Sequence, residues 1–197
     1  VLDAVGSNIR IDARGGEVMR ILPRLNEDVN EEWISDKTRF ALDGLKRQRL
    51  DRPYVRNASG KLVPASWDEA FDKIAARLKG VAGSKIAAIA GDMADCESIV
   101  ALKDLMKALE SGNLECRQDG AQFDAAQPAG YRFNTTIAGI EKADVILLVG
   151  TNPRVEAALV NARIRKTWLA KRIKVGVIGP QIKLNYPAKY LGAGPET

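Results

Sequence analysis

The run Asp144-Val-Ile-Leu-Leu-Val149 constrains this chain more than any other stretch. It is almost wholly apolar, too short for a helix and rich in β-branched residues, so it reads as a strand buried on both faces. Gly150-Thr151-Asn152-Pro153 turns the chain, with proline where a helix can begin. Ala157, Leu159, Val160, Ile164, Trp168 and Leu169 then recur at helical spacing through Lys171. Ile173-Lys-Val-Gly-Val-Ile178 is a second buried strand, ended by Gly179-Pro180. Strand, helix and strand at this length make a βαβ unit, which demands parallel pairing and a right-handed crossover. The Gly150–Pro153 loop then falls at the sheet's carboxyl edge, where such folds bind ligands.

The preceding residues extend the alternation. Ser66-Trp67-Asp68-Glu69 is a capping box opening a helix that carries Ala70, Phe71, Ile74, Ala75 and Leu78 on one face. Lys85–Ala90 reads as a strand, and a helix from Ala94 to Glu110 is expected to bury Ile99, Leu102, Leu105, Met106 and Leu109. Leu114–Arg117 is a short strand, and Gln118–Gly139 a long connection. Residues 66–197 therefore predict a Rossmann-like, three-layer α/β domain with a mainly parallel sheet. Residues 1–65 predict a small β-rich lobe. In it Ile9, Ile11 and Ala13 alternate before a turn at Gly15-Gly16, and a second hairpin turns at Ser59-Gly60. Ser35 is placed as the N-cap of a short helical turn.

Composition narrows the chemistry. Histidine is absent, which removes imidazole base catalysis, Ser-His or Cys-His nucleophiles and His-ligated zinc from these residues. Cys96 and Cys116 form no paired motif and read as small buried residues of a reducing compartment. The net charge of +5 gathers at Lys46-Arg47-Gln48-Arg49 with Arg52. It gathers again on the helix after Asn152, where Arg154, Arg163, Arg165, Lys166, Lys171 and Arg172 face only Glu156. Without interleaved aromatics, these patches point to solvent or an acidic protein partner, not nucleic acid. No apolar run approaches the roughly 20 residues of a membrane span, and the opening Val1 reads as the start of a segment of a longer protein.

Asn30-Glu-Glu-Trp-Ile-Ser-Asp-Lys-Thr-Arg-Phe-Ala-Leu-Asp-Gly-Leu-Lys-Arg-Gln-Arg-Leu50 resembles the signature of the large iron–sulphur subunit (G-type, or 75 kDa-type) of NADH:quinone oxidoreductase, respiratory complex I. Thr135–Gly139, Gly150–Arg154 and Asn161–Trp168 resemble the same family, nearest its α-proteobacterial and mitochondrial branch. The resemblance implies the fold of molybdopterin oxidoreductases such as formate dehydrogenase. Those enzymes open this region with cysteines that hold a four-iron cluster. Here Asp3 and Ser7 resemble the second and third ligand positions and Ser35 the fourth. A serine hydroxyl stays protonated and is a poor iron ligand beside a thiolate, so no metal site is expected at these former positions.

On the same resemblance Gly150, Thr151, Asn152 and Pro153 match a loop that touches the pterin cofactor, and Gly179 stands where the enzymes place an acid. The loop is therefore expected to be vestigial, with no cofactor bound and no catalytic residue in the segment. Lys37 resembles a lysine between cluster and pterin, and reads here as an exposed cation pairing with Asp36 or Glu32. The segment is accordingly expected to be a structural and assembly module. The resemblance implies a parent subunit that carries electrons from NADH toward quinone through 2Fe-2S and 4Fe-4S clusters in an upstream domain. The implied partners are other complex I subunits, without nucleic acid or direct membrane insertion. The implied place is a peripheral arm on the cytoplasmic face of a bacterial inner membrane, or the matrix side in mitochondria. The alternatives are a fragment of an active molybdopterin-dependent oxidoreductase and a nucleotide-binding α/β domain.

Overall fold

The computed structural model describes residues 3–91, 93–116, 122 and 124–197. In chain order the elements are β1 (Ile9–Arg14), β2 (Glu17–Pro23), α1 (Asp36–Phe40), β3 (Tyr54–Arg56), β4 (Leu62–Pro64), α2 (Trp67–Leu78), β5 (Ala88–Ile89), α3 (Cys96–Ala108), β6 (Leu114–Glu115), β7 (Val145–Val149), α4 (Pro153–Glu156), α5 (Ala158–Lys171), β8 (Lys174–Ile178) and β9 (Lys189–Gly192). Arg117 and the start of the long connection, Gln118–Ala121 with Phe123, lie outside the described residues. The chain forms two units, one of residues 1–49 with 128–197 and one of 50–127. The division expected between residues 65 and 66 falls inside the second unit, because the β3–β4 hairpin contacts α2.

In the first unit β1 and β2 pair antiparallel around Gly15, whose φ of +57° suits a residue without Cβ. Downstream, β7, β8 and β9 form a parallel sheet in that order. Ile164 of α5 packs with Leu148, Val175, Val177 and Tyr186 into one core, against which Ile146, Val160 and Trp168 also rest. Burying a side chain as fully as Ile164 contributes about 1.5–3 kcal/mol. Among the described residues of this unit, α5 covers this face of the sheet. Val145, Leu147 and Val149 stay exposed on the other, Val145 at 65%. The strand expected to be buried on both faces is buried on one: alternate side chains of β7 turn away from α5 and find no second helix layer in this unit. Mixed α/β structure with small sheets is what the described residues contain.

The single helix expected from Pro153 to Lys171 is two. Ala157, at φ −146°, breaks it after one turn, and α5 starts afresh at Ala158. Arg172 closes α5 in the left-handed region, its N–H donating to Trp168 O at 2.8 Å and its guanidinium lying 4.3 Å from the Trp168 ring.

In the second unit both helix starts are capped by side chains. Ser66 and Glu69 form the reciprocal capping box of α2, and Asp95 caps α3 through Ser98 N at 2.7 Å. The apolar face of α2 is open, with Phe71 57% exposed, and of the α3 residues expected to be buried Met106 is buried while Ile99 and Leu105 are exposed. The paired strands β5 and β6 are two residues each, too short to cover a helix face. Cys96 and Cys116 are exposed as well, Cys96 at the first turn of α3 and Cys116 just past β6. Small apolar residues were expected to be buried, but neither position faces a core.

Candidate functional site

Asp3, Ser7 and Ser35, the residues expected to stand at cluster-ligand positions, carry oxygen atoms already engaged in local structure. Gly6, at φ +64°, curls the loop so that the amides of Val5, Gly6 and Ser7 converge on Asp3 Oδ1 at 3.1, 3.0 and 3.4 Å. Ser7 Oγ donates to Asp3 Oδ2 at 2.5 Å. Partial burial disfavours the Asp3 carboxylate, but the Ser7 hydroxyl and the Val5 and Ser7 amides outweigh it and hold its pKa below the ordinary value. The amide cradle that suits an anionic sulphur thus closes on a carboxylate of the chain itself. Ser35 Oγ accepts from Thr38 N at 3.2 Å as the N-cap of α1 and lies 3.1 Å from Thr38 Oγ1.

Asn30 joins the two segments. It is 1% exposed, accepts the Asn8 amide at 2.9 Å, and donates through Nδ2 to the carbonyls of Arg24, Glu31 and Trp33 at 3.0–3.2 Å. Among the described residues no group of three or more His, Cys, Asp or Glu side chains is placed to hold a metal ion. One carboxylate and two hydroxyls, all spent on capping, do not fit a cubane that needs thiolates. Lys37 pairs with neither Asp36 nor Glu32; its Nζ donates to the carbonyl of Val155 at 2.9 Å, tying α1 to α4.

At the carboxyl edge of the sheet, Gly150 has φ +63° and Gly179 φ +130°. The Gly150 amide donates to Ile178 O at 2.8 Å, and the Gly179 amide to Gly192 O at 2.8 Å. A Cβ on Gly179 would stand 3.3 Å from both the N and the Cα of Gly150. A side chain at Gly179, where an acid was expected to be lost, would meet tight backbone packing and a φ that L-residues rarely adopt. Thr151 Oγ1 donates to Glu156, while the Asn152 carbonyl receives the amides of Val155 and Glu156 at 3.0 Å. Asn152 Oδ1 is buried without a partner.

Below this edge only one helical turn, α4, follows. A full macrodipole stabilises an anion by about 0.3–1 kcal/mol, up to roughly 2. Micromolar binding of a dinucleotide needs about 8 kcal/mol. These residues do not fit a pterin dinucleotide.

A partly buried polar cluster around Arg163 was not legible in the sequence. Arg163, only 4% exposed, donates to Glu141 Oε1 at 2.5 Å and to the carbonyls of Glu27 and Val29 at 2.8 and 3.3 Å. Glu31 lies 3.5 Å away, and Lys166 bridges Glu31 and Glu141. The Arg163 guanidinium chiefly, aided by Lys166, outweighs burial and holds the Glu141 carboxyl below the ordinary carboxylate range. Two of the helix's cations are thus neutralised internally.

A family model described as molybdopterin oxidoreductase matches residues 49–197, and one described as NADH-ubiquinone oxidoreductase NDSU1/NuoG-like, 4Fe-4S domain matches residues 1–43. The chain is 54% identical to the mitochondrial NADH dehydrogenase (ubiquinone) iron-sulfur protein 1 of Solanum tuberosum across its whole length. It is 53% identical, over 98% of its length, to the G subunit of the NADH-quinone oxidoreductase of Rickettsia conorii and to the mitochondrial 78 kDa subunit of NADH-ubiquinone oxidoreductase of Neurospora crassa. The chain spans between 26% and 29% of the length of these relatives.

Proposed function

Because this chain belongs to the molybdopterin oxidoreductase family, we propose that it forms a cofactor-free structural module in the large iron–sulphur subunit (75 kDa-type) of NADH:quinone oxidoreductase. The relatives that match it end to end are complex I subunits. In this reading the parent subunit carries electrons from NADH toward quinone through iron–sulphur clusters held elsewhere in its length. The segment contributes no catalytic residue and no metal ligand, and neither Gly150–Pro153 nor Gly179 holds a cofactor. Its place is a peripheral arm among other complex I subunits, on the cytoplasmic or matrix face. Among the described residues no helix is long and apolar enough to cross a membrane. In the longer protein a three-layer α/β arrangement covers the open face of the sheet.

The observation that carries the reading is the state of Asp3, Ser7 and Ser35, whose oxygens are consumed by the loop and helix they cap. The test uses the full-length subunit. Iron, acid-labile sulphide and reduced-cluster signals are measured before and after Ser7→Ala and Ser35→Ala. Unchanged cluster content is expected, and loss of one four-iron signal would overturn the reading.

One observation favours the nearest alternative, a retained pterin or nucleotide: the unpartnered Asn152 Oδ1 could accept a ligand N–H or O–H. Pterin fluorescence in an extract of the native protein, or a thermal shift with guanine nucleotides, would establish it. A ligand at 100 times its dissociation constant adds about 2.7 kcal/mol.

A further inference from the structure

Helix α5 presents two different faces. Leu159, Arg163, Ile164 and Thr167 are buried. Ala158, Ala162, Arg165 and Leu169, spaced by four, three and four residues, line an open groove of about 740 Å3 that Glu31, Trp33 and Asn185 line from outside the helix. Trp33 is 57% exposed and Leu169 is exposed. Two alanines four apart lower the helix surface enough for another helix to approach, since side-chain size at the crossing sets the interaxial distance of 8–10 Å.

The charges in the groove are not balanced. Lys166 is matched by Glu31 and Glu141, whereas Arg165 has no carboxylate partner among the described residues. A large ring, a leucine and a free guanidinium around small residues form an amphipathic seat with a cationic centre. The Arg163 and Lys166 network holds the 27–31 turn against α5, so Trp33 stands ready to form the second wall.

We propose that this groove seats a helix from a neighbouring subunit, with a carboxylate opposite Arg165 and an aliphatic side chain between Trp33 and Leu169. The proposal rests on the assembly-module reading and gives that module a contact of defined chemistry. Helix-in-groove recognition reads such anchors at intervals of three and four residues, and charge complementarity selects the acidic partner.

The test places photoreactive p-benzoylphenylalanine at Leu169 of the full-length subunit in the assembled complex and identifies the joined peptide by mass spectrometry. The expected product lies in another subunit, within one helical turn of an Asp or Glu. Arg165→Glu lowers its yield roughly tenfold, equivalent to about 1.4 kcal/mol. Arg165→Lys, which keeps the charge, retains most of it, and Arg14→Glu on the β1–β2 hairpin leaves it unchanged. A product within the same polypeptide, with a second copy, with a segment lacking carboxylates, or no product at all would each overturn the proposal. Iron or pterin found in the segment would instead overturn the cofactor-free reading and leave the cross-link result standing.

Discussion

Replacing Arg163 gives the sharpest test of how the first unit is held together. Its side chain is 5% exposed and serves Glu141 at 2.5 Å, Glu31 at 3.5 Å and two main-chain carbonyls. Arg163→Met keeps most of the apolar stem but leaves Glu31 and Glu141 sharing Lys166 and orphans the carbonyls of Glu27 and Val29. Breaking a fully buried pair from one side costs about 3–5 kcal/mol; Glu141 is 35% exposed and keeps Lys166, so the cost here lies near the lower bound. That corresponds to a loss of protection of roughly a hundredfold. Hydrogen exchange of the intact subunit reads this locally, in amides of the 26–31 turn and α5. Arg163→Met with Glu141→Leu removes both sides of the pair and is expected to recover at least about tenfold over the single change. The Glu141 carboxyl titrates below its ordinary range when folded, so its contribution is complete above the unfolded carboxylate pKa and is lost as pH falls through the folded value. Protection, corrected for intrinsic exchange, should therefore be level from neutrality down to the ordinary carboxylate range and decline below it. Arg163→Met protection within threefold of wild type, or a double variant no better than the single, would refute the argument.

Asn30→Asp should destabilise the lobe more than Asn30→Ala, although it is nearly isosteric. The aspartate points an anion at three carbonyl oxygens that Asn30 now serves as donor. Protease susceptibility of residues 8–35 orders the two variants, and the reverse order would remove Asn30 as the joint. Gly179→Asp should lower stability by about 1–3 kcal/mol through its φ and the Gly150 contact. Thermal melts are expected to show no new stabilisation by nucleotides. Ser66→Ala should cost about 1 kcal/mol of helix stability by removing the capping box, measured as faster exchange in the first turn of α2.

Local signals carried much of the architecture. The Gly15 and Gly60 turns, the Ser35 and Ser66 caps and the β7–β8 parallel pair all follow from short-range chemistry that a sequence displays directly. Burial was less legible, because it depends on what covers a surface. The apolar residues of α3 and the run Val145–Val149 were read as enclosed, yet Ile99, Leu105 and Val145 lie open. Arg163 could have been suspected: it stands four residues from both Leu159 and Thr167, on the inward face of α5. Its carboxylate partners are far away in the chain, and no spacing rule points to them. The packing of Gly179 against Gly150 was likewise hidden, since a glycine in the sequence does not reveal the backbone that lies against it.

The Asp3 turn has a consequence for biogenesis. Lobes built around metal clusters complete their folding only when the cluster arrives. A turn that gathers its amides onto its own carboxylate has an anion supplied by translation itself. On the cofactor-free reading, this lobe matures in an iron-starved cell at the same pace as in a replete one, with its surfaces formed before any cofactor is delivered.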